Sequence, residues 1–90
     1  MTDYSAMSDD HINAEVTLII GSHSADGHYP DYCNDWAAIG PIIEKYEIDL
    51  DFDRDKNEWL ASGIGEYTQA AFAPNPRRAA AICFLMMQEA

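Results

Sequence analysis

The chain has 90 residues, 48% of them apolar and including five Tyr, three Phe and two Trp, which suits one globular domain over residues 1–90 and lies far from disordered composition. Sixteen acidic side chains against five basic ones give a formal charge of −11, which repels phosphate backbones and anionic lipid surfaces and attracts basic protein surfaces from a distance. Nucleic acid and membrane are therefore excluded as direct partners, and a protein with a basic surface is favoured.

Residues 1–6 show no periodicity and are expected to be loose or disordered. The opening M-T-D-Y-S-A-M-S-D-D has no basic region followed by an apolar run, so no leader is read here and the cytoplasm is the expected compartment. Ser8 is a helix cap, and Asp9 and Asp10 favour the positive end of the helix that follows. Ile12, Val16, Ile19 and Ile20 recur on one side of that helix and are expected to face the core. Gly21 is the residue best able to take the left-handed conformation that ends it.

Residues 21–34, G-S-H-S-A-D-G-H-Y-P-D-Y-C-N, have the turn formers of a long connecting loop. Asn34 or Asp35 then caps a second helix, in which Trp36, Ile39, Ile43 and Tyr46 follow helical spacing toward the core. Pro41 lacks an N–H and sets its ring against the Ala37 carbonyl, so a kink or a division is expected, with the helix proper from Pro41 to Tyr46.

Alternation follows. Ile48, Leu50 and Phe52 point one way and Asp49, Asp51 and Asp53 the other, the pattern of a half-buried strand. Residues 54–57 form the hairpin loop, and Glu58 to Ser62 return with Trp59 and Ala61 on one face. Gly63 to Gly65 make a bend, and a third strand is expected from Tyr67 to Ala73.

Pro74 closes that strand before the last helix, N-P-R-R-A-A-A-I-C-F-L-M-M-Q-E, capped by Asn75 with Pro76 in its first turn. No charge occurs from Ala79 to Met87, so this helix is apolar on all sides and belongs in the interior. The expected fold is α+β in the order α-α-β-β-β-α, an antiparallel three-stranded meander packed on a buried C-terminal helix.

Three segments fix a resemblance: D-Y-C-N-D-W-A-A-I-G-P-I-I-E-K-Y at Asp31 to Tyr46, W-x-A at Trp59 to Ala61, and N-P-R-R-A-A-A-I-C-F-L-M-M-Q at Asn75 to Gln88. Their order and spacing resemble the NinX-like family of small bacteriophage proteins. The resemblance implies a phage accessory protein expressed in a bacterial host, and it implies no reaction.

His23, His28, Asp26, Asp31 and Cys33 are the only cluster of possible metal ligands, but their spacing is unlike that of a zinc site. Thiol catalysis by Cys33 with His28 would need an orienting group and an oxyanion hole that no residue announces. No metal, cofactor or catalytic residue is therefore assigned, and a small metal-dependent or thiol hydrolase in the 21–35 loop remains the enzyme alternative. Cys33 and Cys83 read as reduced, buried core residues. Arg77 and Arg78 oppose the dipole of the last helix, so pairing with carboxylates of the loop or strands is expected, with an anion site as the sharper alternative.

The expected binding residues are Asp49, Asp51, Asp53 and Asp55. Alternate residues of a strand recur at about 6.6 to 6.8 Å, so these carboxylates form a line of charge resembling one nucleic-acid strand. A solvated outer face explains such a row simply, yet aspartate is a poor strand former and its repetition is self-repelling. The function read from the sequence is that of a non-catalytic phage protein that inhibits or modulates a host defence or nucleic-acid factor by charge mimicry. A structural module self-associating through Trp59 or Tyr67 is a further alternative.

Overall fold

Two helices, a three-stranded antiparallel sheet and a third helix follow one another in the computed structural model, which describes residues 3–21, 29–63 and 69–89. Helix α1, Asp9–Ile20, starts where the Ser8 side chain accepts from the His11 N–H at 3.1 Å. It stops where Gly21 turns left-handed at φ 78° and donates to the Thr17 carbonyl. Ile12 and Val16 are fully buried, with Asn13 and Thr17 beside them. Ile19 and Ile20 are 45% and 42% exposed, against expectation. Helical spacing aims them correctly, but they line an open cleft against Pro41, Ile42, Lys45 and Tyr46 instead of a closed core.

Helix α2, Trp36–Tyr46, is capped by the Asp35 carboxylate accepting from the Ala37 N–H at 3.0 Å. Pro41 lies inside it without dividing it. Burial of Ile39 and Ile42 on either side holds the helix through the hydrogen bond that Pro41 cannot make. Trp36, expected in the core, is 48% exposed. The buried stripe is led by Ile39 and Ile42, with Ile43 and Tyr46 packed on its border, so the first turn carries Trp36 out to the surface.

Strand β1, Asp49–Asp53, and strand β2, Glu58–Ser62, are antiparallel around the 54–57 turn, in which Asn57 takes φ 55°. Strand β3, Ala70–Ala73, pairs antiparallel with β2. It lies within the expected Tyr67 to Ala73, and the Gly63 N–H donates to the Gln69 carbonyl just before it at 2.9 Å. Ile64, Gly65, Tyr67 and Thr68, parts of the expected bend and strand, lie outside the described residues, as do Met1 and Thr2.

Helix α3, Pro76–Glu89, touches β2, β3, α1 and α2. The Asn75 side chain accepts from the Arg77 N–H at 2.8 Å, and every residue from Ala79 to Leu85 is buried. Phe84 has no exposed surface and meets Tyr46 edge-on, with ring centroids 5.0 Å apart. Burying Ile82, Phe84 and Leu85 contributes about 1.5 to 3 kcal/mol each. Met86 and Met87, expected in the interior, are only half-buried. The fold is α+β, with the meander packed on the C-terminal helix as expected. One segment expected to be loose is tied down: Tyr4 to Ala6 form a 3-10 turn, Tyr4 is buried, and its hydroxyl donates to Glu89 at 2.7 Å.

Candidate functional site

Strand β1 is one edge of the sheet, because the strand order is β1-β2-β3. Leu50 stands opposite Ala61 and Phe52 opposite Trp59, on the face that carries the buried Ala61, Ala71 and Ala73. The period of two then puts Asp49, Asp51 and Asp53 together on the outer face. Asp49 and Asp51 are exposed, and neither side chain has a hydrogen bond or ion pair among the described residues. Asp53 differs from them. It is half-buried, and its Oδ1 accepts from the Asp55 N–H at 3.0 Å and the Lys56 N–H at 3.2 Å, so it organises the hairpin turn. Asp55 is exposed within that turn, beyond the row.

The 54–57 hairpin loop sets Glu58 directly opposite Asp53, a like-charge pair that works against the hairpin. The outer face is also not wholly polar. Leu60 lies between Asp51 and Phe72 in the register, and Lys56 Nζ sits 4.0 Å from the centre of the Phe72 ring. The acidic row is therefore bordered by an apolar strip with one cation over it.

The motifs that carry the family resemblance meet at a second place. Asn75 Nδ2 donates to the Cys33 carbonyl at 2.7 Å and to Asn34 Oδ1 at 3.0 Å. Asn34 Nδ2 donates to Asp9 Oδ2 at 3.1 Å and to the Asp31 carboxylate. Asn13, buried on α1, donates to Asp31 at 2.9 Å and accepts from the Cys33 N–H at 3.1 Å. Arg78 completes the knot, with Nη1 on Asp9 Oδ1 at 2.6 Å and Nη2 donating to the Met7 carbonyl at 2.6 Å. The Asn34 hydrogen bond, then Arg78, holds the Asp9 carboxyl below its ordinary value against the opposing effect of burial.

This knot ties the starts of α1 and α3 to the 31–34 turn. Asn13 was missed because one polar residue beside Ile12 reads as solvated, although it sits next to the buried stripe. The arginines also depart from expectation. Arg78 pairs with a carboxylate of α1 rather than of the loop or strands, because the two helix starts lie side by side. Arg77 makes no ion pair among the described residues; its guanidinium carbon lies 5.0 Å from the Trp36 ring centre, a stacking contact that shields both groups.

Both cysteines are free and buried. Burial, with the Asp9 charge second, pushes the Cys33 thiol up to about 12, and burial pushes Cys83 to about 11. Thiols in that state keep their protons and are poor nucleophiles. His23, Asp26 and His28, the remaining members of the proposed metal or thiol cluster, lie outside the described residues; among the described residues no three His, Cys, Asp or Glu gather to hold a metal. The described residues line open grooves of about 400 Å³ between Tyr4, β3 and α3, and of about 310 Å³ between α1 and α2. Among the described residues no helix is long and apolar enough to cross a membrane.

Among known families, the model described as Bacteriophage P22, NinX matches residues 11–88. No curated protein and no solved structure matches the chain.

Proposed function

The chain belongs to the bacteriophage P22 NinX family, and from that membership and its charge we propose that it is a phage accessory protein without catalysis that binds a host protein in the host cytoplasm. The contact is the acidic edge of the sheet, Asp49 and Asp51 with Asp53 and Asp55 at its turn end. The observation that carries this reading is the state of Asp49 and Asp51: adjacent on one face, exposed, and without a partner among the described residues. Unscreened carboxylates in a row cost stability through mutual repulsion, and a basic partner converts that cost into attraction. Their spacing of about 6.6 to 6.8 Å suits a host surface that otherwise receives nucleic acid, such as a defence or nucleic-acid-processing factor. Inhibition follows when that surface is occupied.

The test compares the chain with its D49N/D51N/D55N variant as immobilised baits in host lysate. Asp53 is left in place because it organises the turn. The wild-type chain retains a basic host protein at low salt and releases it at high salt, since such attraction is screened within about 10 Å at 0.1 M, and the variant fails to retain it. Equal retention of the same proteins by the variant at low salt refutes the reading.

A further inference from the structure

Strand β1 ends the sheet, and among the described residues no backbone hydrogen bond from another segment reaches its free edge. The outward-pointing N–H and C=O groups of such an edge are a template for another strand. Charge selects which strand can use it. A second copy of β1 laid alongside would set aspartate against aspartate, which is unfavourable. A neutral strand would crowd Asp49 and Asp51 without satisfying them. A strand with a cation at every second position sets each one opposite a carboxylate on the same face, with Cβ atoms about 5 Å apart. On the other face Phe52, 44% exposed and edge-on to Trp59 at 5.4 Å, offers apolar contact to the residues between those cations.

We infer that β1 accepts a fourth strand from its partner, an extended segment alternating Lys or Arg with apolar or β-branched residues. The inference rests on the acidic-edge reading above and specifies how that edge is used: backbone hydrogen bonds supply affinity, and the alternating charges supply selection.

The test titrates the full chain with a short synthetic peptide alternating lysine with valine or threonine, and with the same peptide N-methylated along its backbone. Charge is equal in the two, but the second cannot donate to a strand. At low salt the unmethylated peptide binds at least about tenfold tighter and slows amide exchange across Asp49–Asp53, as strand addition requires. Equal binding by both peptides, weakened in D49N/D51N, overturns strand addition and leaves the acidic-edge reading intact. Binding indifferent to D49N/D51N overturns both, and no binding at low salt overturns strand addition. Amide exchange in α3 of the variant confirms that its fold is unchanged.

Discussion

Arg78 Nη1 lies 2.6 Å from Asp9 Oδ1, joining the first turn of α3 to the first turn of α1. A cation in the first turn of a helix opposes the helix dipole, whereas an anion there is favoured. The pairing resolves both ends at once: Asp9 suits the start of α1, and it compensates the cation at the start of α3. Arg78 also accounts for the Met7 carbonyl before the Ser8 cap, so one side chain fixes where the chain enters α1.

Replacing Arg78 with Ala should therefore destabilise the fold by about 2 kcal/mol, the scale of losing charge-assisted hydrogen bonds to partly buried groups. Arg77→Ala, which removes a contact with a half-exposed indole, should cost less than about 1 kcal/mol. Urea denaturation of the two variants checks the difference, and equal losses would contradict the roles given to them.

The same pair sets an acid response. The folded-state pKa of Asp9 is lowered, so its contribution is present above the unfolded value of about 3.9 and is lost as pH falls through the folded value. The Asp9 side chain is 44% exposed, so solvent screening limits the ion pair to under about 1 kcal/mol. Denaturation midpoints measured from pH 6 downward should fall less steeply in Asp9→Asn than in the wild type.

Cys33 and Cys83 set an alkaline response of the opposite sign. Their thiols keep their protons in the fold up to about 12 and about 11, while unfolded thiols ionise near about 8.5. Stability is thus fully present below that value and declines above it by up to about 1.4 kcal/mol per pH unit for each thiol. Serine at both positions should flatten the decline measured by denaturation between pH 8 and 10. Iodoacetamide should label the native wild type only as fast as it opens.

Phe84→Ala should cost about 3 to 5 kcal/mol, since it empties a fully buried ring site and removes the edge contact with Tyr46. Leu18→Ala, at a position 67% exposed, should stay within about 0.5 kcal/mol. Thermal unfolding of the pair tests whether α3 is the centre of the core.

Helix α3 was legible because two independent signals agree on it: Asn75 and Pro76 mark a start, and the uncharged run to Met87 leaves no face for water. Strand β1 was legible because alternation of aspartate with Ile48, Leu50 and Phe52 has no helical reading. Trp36 was misplaced because the spacing from Trp36 to Tyr46 is satisfied equally by a stripe beginning one turn later, and the choice between the two lies in where α3 sits. Ile19 and Ile20 were misplaced for a similar reason, since their direction is local but the length of the surface they meet is not. The knot around Asn34 was legible only as two separate caps, because sequence spacing does not say that residues 34 and 75 touch.

Asp51→Asn should leave stability unchanged or raise it by a few tenths of a kcal/mol at low salt, because it relieves repulsion along the row. Asp53→Ala should cost about 1 kcal/mol, because it removes the acceptor for the Asp55 and Lys56 N–H groups. Denaturation at low salt separates a carboxylate that makes no stabilising contact within the fold from one that holds the turn.

The most direct measurement of the acidic-edge reading is the association rate of a captured host protein with the wild-type chain and with D49N/D51N/D55N across ionic strength. The wild-type rate should fall steeply as salt rises, and the variant should start lower with a much flatter slope. Identical rates and identical salt dependence for the two chains would contradict it.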